Sequence, residues 1–90
     1  MGREKGGEFE KNFTELDLHG MSLKEAEHAV EMFLFALHKS GTGSGKIITG
    51  RGSGVLYNGI KKYLEGHNLV RNILDPPDSM GAAFLVEIGI

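Results

Sequence analysis

The chain contains no cysteine among its 90 residues. Disulfide frameworks and thiolate metal sites are therefore excluded, which fits a reducing compartment. No apolar run approaches the roughly 20 residues that a membrane-spanning helix needs. Residues 1–11 also lack the apolar core of a signal peptide. From these absences we expect an intracellular protein, cytoplasmic or nuclear, that does not contact a membrane.

The length of the chain fits one small domain. A chain of this size buries roughly 60% of its unfolded surface, so it holds one modest core. The apolar fraction of 40% is sufficient for such a core. Residues 1–12 are rich in glycine, glutamate and lysine, and we expect a flexible N-terminal lead there. The domain itself is predicted at 13–90, either as a stand-alone protein or as part of a longer chain.

The charge is unevenly distributed, although its net value is only −2. Residues 1–38 carry four basic and eight acidic side chains. Residues 39–71 carry six basic side chains and one acidic side chain, a net of +5. Residues 72–90 carry three acids and no base. A basic middle segment in an acidic chain is expected of a local anion-binding face, and chance clustering of solvated charges is the alternative.

Apolar periodicity and turn residues divide the chain into six elements. The predicted segments are a strand at Phe13–Leu18, a helix from about Leu23, a mobile loop at Ser40–Gly45, a strand at Lys46–Thr49, a glycine turn at Gly50–Gly54, a helix at Val55–Glu65, and strands at Leu69–Leu74 and Ala82–Ile88. This βαβαββ order predicts an α/β fold, with two helices packed on a parallel or mixed four-stranded sheet. The last two strands are expected to form an antiparallel hairpin.

The first helix has a start signal and one apolar face. Ser22 and Glu25 form a capping box, so the helix should begin near Leu23. Apolar residues at helical spacing then form a stripe: Leu23, Ala26, Val30, Phe33, Leu34 and Leu37. Phe35 falls on the opposite face. It is either a partly covered ring at a sheet edge or part of a contact surface.

The first candidate for chemistry is Leu16-Asp17-Leu18-His19-Gly20. Alternation along a strand places Asp17 and His19 on the same face, about 6–7 Å apart. A histidine can transfer protons near neutral pH, and a carboxylate can fix its tautomer. The alternative is that both side chains only cap backbone groups at the end of the strand.

The second candidate is Thr49-Gly50-Arg51-Gly52-Ser53-Gly54, between a strand and a helix. Glycines let the backbone approach a ligand closely, and the following helix contributes the positive end of its dipole. Arg51 adds a planar fork that suits a phosphate. The segment is therefore interpreted as an anion cradle, and a tight connecting turn is the alternative. No metal-ligand set is predicted, because His28, His38 and His67 show no metal-ligand spacing and a site at Asp17 and His19 lacks a visible third ligand.

The two motifs together resemble the Smr domain, the small MutS-related domain. The resemblance covers about Thr14–Ile88 and includes the helix after the first motif and the strand pair that closes the domain. It implies a two-layer α/β sandwich, similar to the C-terminal domain of a bacterial translation initiation factor. It also implies nucleic-acid binding, often with endonuclease or nicking activity on DNA or RNA.

Residue by residue, the resemblance places the acid and histidine of the first motif on Asp17 and His19. It places the glycines of the second motif on Gly50 and Gly52, and its usually basic position on Arg51. Many members have histidine where this chain has Thr49. If that histidine takes part in cleavage, the protein would bind without cleaving.

We predict three catalytic residues on this basis. His19 would act as general base or acid, Asp17 as its orienting partner or a metal-binding carboxylate, and Arg51 as a charge stabiliser with the amides of Gly50–Gly54. The cofactor is left open, with a divalent metal such as Mg²⁺ as one option. The predicted nucleic-acid contacts are Lys46, Thr49, Gly50, Gly52, Ser53, Gly54, Lys61 and Lys62.

Two other functions stay open. One is a non-catalytic module that docks on branched or structured nucleic acid within a larger protein. The other is a protein-interaction domain, for which Phe35 is the only indication.

Overall fold

A computed structural model describes residues 15–50, 54–76 and 82–89. The elements, numbered in chain order, are β1 (Glu15–Asp17), α1 (Leu23–Ser40), β2 (Ser44–Ile48), α2 (Val55–Glu65), β3 (Val70–Leu74) and β4 (Ala83–Ile88). The four strands form one sheet in the order β1-β2-β4-β3. Strand β2 pairs parallel with β1 and antiparallel with β4, which pairs antiparallel with β3. The predicted α/β class, with two helices and a mixed four-stranded sheet, is confirmed.

The start of α1 is set by its predicted capping box. The Glu25 backbone N–H donates to Ser22 Oγ at 3.1 Å, and the Ser22 N–H donates to Glu25 Oε1 at 3.0 Å. The helix ends at Ser40 and is capped by Gly41, whose φ of 77° lies in the left-handed region that glycine adopts without strain. The predicted apolar stripe is confirmed by the buried residues Ala26, Val30, Phe33, Leu34 and Leu37.

Both helices pack on one face of the sheet. Inward-facing side chains of the central strands, including Ile47, Phe84 and Val86, are fully buried in one cluster with residues of α1 and α2. Alternating residues of the same strands, such as Lys46 and Leu85, face the other side. Within the described residues no helix covers that side, so the fold has two layers. Neither described helix has the length and apolar character to span a bilayer.

The connection between α1 and β2 differs from the prediction. The expected loop at Ser40–Gly45 is shorter, because β2 already begins at Ser44. A Cβ added at Gly45 would lie 2.8 Å from Phe33 Cζ and 2.9 Å from Leu37 Cδ1. This glycine therefore lets α1 pack directly on the strand and does not mark a turn.

The other predicted boundaries agree with the structure to within a few residues. Helix α2 has the predicted bounds, and Gly66 caps it by donating its N–H to Lys62 O. Strands β3 and β4 each begin one residue later than expected. Strand β1 ends at Asp17, one residue before the predicted end. Residues 13 and 14 lie outside the described ranges.

Candidate functional site

The first motif forms a tight turn between β1 and α1. Parallel pairing continues one residue past β1, where the Leu18 N–H donates to Ile48 O at 2.7 Å. The Met21 N–H then donates to Leu18 O at 3.0 Å, which closes a four-residue turn. Gly20 has a φ of 86°, as the third position of such a turn often requires. His19 occupies the second position, and its side chain is exposed.

The Asp17 carboxylate contacts the main chain of this turn. Its Oδ1 accepts a hydrogen bond from the backbone N–H of His19 at 2.9 Å. Among the described residues it makes no ion pair with the imidazole. The expectation that Asp17 and His19 alternate along one strand is wrong, because β1 ends at Asp17 and His19 lies in the turn. The contact with backbone was the alternative left open by the sequence.

The second motif is held to the start of β4 through one carbonyl group. The backbone N–H groups of Thr49 and Gly50 donate to Ala82 O at 2.8 and 3.1 Å. The Thr49 hydroxyl donates to the same oxygen at 3.2 Å. Thr49 is 5% exposed, so its side chain is part of the interior. Thr49 was predicted as a nucleic-acid contact, but its hydroxyl is already bonded to the main chain.

The two motifs meet because β1 and β2 are parallel neighbours whose carboxyl ends lie at the same edge of the sheet. Gly50 has a φ of 83°, and a Cβ built on it would lie 3.5 Å from Cδ2 of the His19 ring. Beyond it, Gly54 has a φ of 88° and precedes α2. This helix has no side-chain N-cap bond and no acidic residue in its first turn. The predicted site residues Arg51, Gly52 and Ser53 lie outside the described residues.

A cleft of about 320 Å³ opens between the two motifs. Its walls come from the His19 turn, the start of α1, the end of β2 and the first turn of α2. Asp17 does not line it, so its link to the cleft runs through the backbone of His19. The lining residues are His19, Gly20, Met21, Ser22, Leu23, Thr49, Gly50, Gly54, Val55, Leu56 and Tyr57.

Tyr57 is a cleft residue that sequence reasoning missed. Its ring stacks on buried Phe84, with centroids 4.5 Å apart and planes 18° apart. Its hydroxyl donates to Asp75 Oδ1 at 2.6 Å. That hydrogen bond, with a further contribution from burial, raises the pKa of Tyr57 above its usual value. Helical spacing places Tyr57 on the same face as the buried residues Ile60 and Leu64, so it indicated a core residue and gave no signal for a place in the cleft.

The three predicted lysine contacts do not line this cleft. Lys46 lies on the helix-free side of the sheet, where its pairing partners are Glu15 and Leu85. Lys61 Nζ lies 3.9 Å from Asp75 Oδ2, and both side chains are nearly half exposed. Lys62 is exposed in the last turn of α2. The structure therefore does not gather these three lysines around His19.

A separate polar cluster joins the two helices away from the cleft. Glu31 Oε1 on α1 accepts from the Tyr63 hydroxyl at 2.7 Å and lies 2.8 Å from His67 Nε2. Because His67 Nδ1 accepts from the Leu69 N–H at 3.1 Å, the ring hydrogen lies on Nε2, facing Glu31. Burial and then the Glu31 hydrogen bond raise the pKa of Tyr63 to about 12. The Tyr63 and His67 hydrogen bonds hold the pKa of Glu31 below its usual value.

The described residues offer no ready metal site. They contain no group of three or more histidine, aspartate or glutamate side chains placed to hold an ion.

Phe35 is 55% exposed on α1, with Lys39 Nζ 6.0 Å from the ring centroid. Its part in a protein contact stays a prediction.

Fold and cleft together define a small two-layer α/β domain with a candidate site where two parallel strands end. The family model described as the Smr domain matches residues 16–88. The chain belongs to the Smr domain family, which confirms the resemblance found in its two motifs.

Two curated relatives show the extent of the similarity. Endonuclease MutS2 of Thermotoga neapolitana is 43% identical over 63 residues, which are 69% of this chain and 8% of that protein. Endonuclease MutS2 of Acetivibrio thermocellus is 39% identical over 59 residues, which are 66% of this chain and 7% of that protein. The chain thus spans less than a tenth of the length of either relative.

Solved structures show the same fold. The crystal structure of the Smr domain of Thermus thermophilus MutS2 matches with a TM-score of 0.80 and 24% identity, over 86% of this chain and 99% of that chain. The crystal structure of YdaL, a stand-alone small MutS-related protein from Escherichia coli, matches with a TM-score of 0.77 and 17% identity, over 87% of this chain and 66% of that chain.

Proposed function

We propose that this domain binds nucleic acid at the cleft and cleaves a phosphodiester bond there, as an endonuclease that nicks DNA or RNA. The observation that carries the proposal is the close approach of His19 to Gly50 beside the amino end of α2. Membership of the Smr family supports it, and so do relatives named as endonucleases. These relatives are much longer proteins, so the activity of the full-length relatives is not assigned to this chain.

The proposed position of the phosphate is the space between Gly50 and the first turn of α2. Gly50 has no side chain to block a close approach of the backbone. The amino end of α2 contributes a partial positive charge that favours an anion. Residues of its first turn line the cleft with His19. Arg51, Gly52 and Ser53 are proposed to complete this anion cradle.

The proposed chemistry assigns proton transfer to His19. An attacking oxygen, from water or a sugar hydroxyl, forms a bond to phosphorus while the bond to the leaving oxygen breaks. His19 takes the proton from the attacking oxygen or gives one to the leaving oxygen, and the other proton is exchanged with solvent. The helix end and Arg51 stabilise the charge that grows on the phosphoryl oxygens. No step is assigned to a metal, and Mg²⁺ stays a prediction.

The lysines have a lesser part in this proposal. Lys46, Lys61 and Lys62 lie outside the cleft, so they would contact only neighbouring phosphates of a longer strand. Lys61 would first have to give up its contact with Asp75. We therefore expect that replacing any one of these lysines by alanine would weaken binding modestly and would have little effect on the rate of cleavage at the bound phosphate.

A cleavage assay on plasmid DNA and structured RNA tests the proposal. We expect His19→Ala to lower the cleavage rate by about 100-fold or more, the usual contribution of general acid–base catalysis. His28→Ala is the matched control, because His28 is exposed on α1 and does not line the cleft. Its rate should equal that of the wild type. Equal rates for the wild type and His19→Ala would exclude the proposed role of His19.

Thr49 favours a second candidate, a module that binds branched or structured nucleic acid without cleaving it. At a position where many Smr domains have histidine, this chain has a buried threonine whose hydroxyl is bonded to Ala82 O. This candidate predicts no cleavage with any divalent metal. It also predicts binding that weakens with salt and is lost in Arg51→Ala.

A further inference from the structure

The backbone N–H of His19 has no partner within the turn that holds it. The turn is closed by the bond from the Met21 N–H to Leu18 O, and it is tied to β2 by the bond from the Leu18 N–H to Ile48 O. Neither bond uses the His19 N–H. The Asp17 carboxylate supplies the missing acceptor at 2.9 Å. Aspartate commonly bonds the N–H two residues later in this way.

We propose that Asp17 is a positioning residue, whose carboxylate oxygen fixes the main chain of His19 and thereby directs the imidazole into the cleft. The role requires an oxygen acceptor at position 17 and does not require its negative charge. This inference rests on the proposed function of His19. It replaces the sequence-based expectation that Asp17 orients the ring directly or binds a metal.

The direction of the His19 side chain depends on this turn because little else restrains it. Its side chain is exposed, and its ring lies over Gly50, where a built Cβ would be 3.5 Å from His19 Cδ2. Leu18, the residue before it, is fully buried and fixes one end of the turn. The peptide between Leu18 and His19 is held on both sides, because its C=O accepts from the Met21 N–H and its N–H donates to Asp17 Oδ1. A rotation of that peptide would swing the imidazole relative to Gly50.

Substitution by asparagine separates the two roles of Asp17. An asparagine side-chain oxygen can accept the same N–H bond but carries no charge, whereas alanine offers no acceptor. In the full chain, we expect Asp17→Asn to keep cleavage within about threefold of the wild type, and Asp17→Ala to lower it by roughly 30-fold or more. Glu15→Gln is the matched control, since it removes a carboxylate two residues earlier on the same face of β1. It should not change the rate.

Equal losses in Asp17→Asn and Asp17→Ala would overturn the inference, because they would show that the charge is required. Full activity of Asp17→Ala would overturn it as well, since no acceptor would be required. The inference can also be separated from the proposed cleavage by amide hydrogen exchange of the full chain in solution. We expect exchange of the His19 N–H to rise about tenfold in Asp17→Ala and to stay near the wild-type rate in Asp17→Asn. Unchanged exchange in Asp17→Ala would contradict the positioning role even if no substrate is cleaved.

Discussion

Gly43 and Gly45 lie close together in the sequence near the start of β2, but their surroundings in the fold differ. Gly43 has open space around it, since a Cβ there would meet no atom within 4 Å. At Gly45, a Cβ would press on Phe33 and Leu37 at less than 3.0 Å. Both belong to a segment that looked like one glycine-rich loop in the sequence. Only the packing of α1 on the sheet distinguishes them.

This difference predicts opposite effects for the same substitution. Gly45→Ala should lower the free energy of unfolding by about 1–2 kcal/mol, because overpacking outweighs the gain in backbone entropy. Gly43→Ala should be neutral or stabilising by up to about 1 kcal/mol. Urea denaturation of the two variants measures both values. A Gly45→Ala variant as stable as Gly43→Ala would contradict the close contact between α1 and β2.

At the scale of residues, local sequence patterns predicted only part of the candidate site. The end of the strand near Asp17 and His19 was predictable, because Gly20 marks it, but the expected alternation of the two side chains along the strand was wrong. The bond from the His19 N–H to Asp17 was foreseen only as an alternative. Its formation depends on where β1 stops pairing with β2, and that point is set by the sheet.

At the scale of elements, the Glu31 cluster joins α1, α2 and the connection to β3. Tyr63 and His67 both contact Glu31 Oε1, although the Glu31 side chain is about half exposed. These contacts favour the ionised carboxylate and keep its pKa low in the folded state. The stability that they contribute is therefore present above the unfolded pKa of Glu31, and it is lost as the pH falls through the lower folded pKa.

The cluster thus predicts a pH-dependent effect of Glu31→Gln. The variant should be less stable than the wild type at neutral pH, and the difference should shrink as the pH falls below the ordinary value of 4.5 for this carboxyl group. Thermal unfolding across this pH range is the measurement. Glu27→Gln, one turn earlier on α1, is the control. A stability difference for Glu31→Gln that does not change with pH would show that the charge of Glu31 is unimportant.

The helices were more predictable than the strand ends. A capping box and an apolar stripe are local signals, and α1 begins where they indicate. The bounds of α2 follow from glycines on both sides. The start of β2 was not predictable in the same way. Ser44 and Gly45 join the strand because β4 supplies partners for them, which no local rule describes.

At the scale of the whole molecule, the three lysines of the basic middle segment that were predicted as nucleic-acid contacts do not share one face. Lys46 lies on the helix-free side of the sheet, while Lys61 and Lys62 lie on α2, away from the cleft. The charge distribution along the sequence predicted one basic surface, but the fold places Lys46 on a different surface from Lys61 and Lys62. Because these three lysines lie outside the cleft, we expect them to neutralise few phosphates when nucleic acid binds. We therefore expect the logarithm of the binding constant to fall with the logarithm of salt concentration by a slope of roughly −1 to −3.

The central claim is that nucleic acid binds where the His19 turn, Gly50 and the start of α2 meet. Chemical-shift mapping of the full chain with short DNA and RNA oligonucleotides, single-stranded and duplex, at two salt concentrations tests it most directly. The account predicts that the largest shifts fall on His19, Gly50 and Gly54, and that they weaken as salt rises. Shifts that are centred on Phe35 or on the helix-free side of the sheet around Leu85, and do not respond to salt, would contradict it.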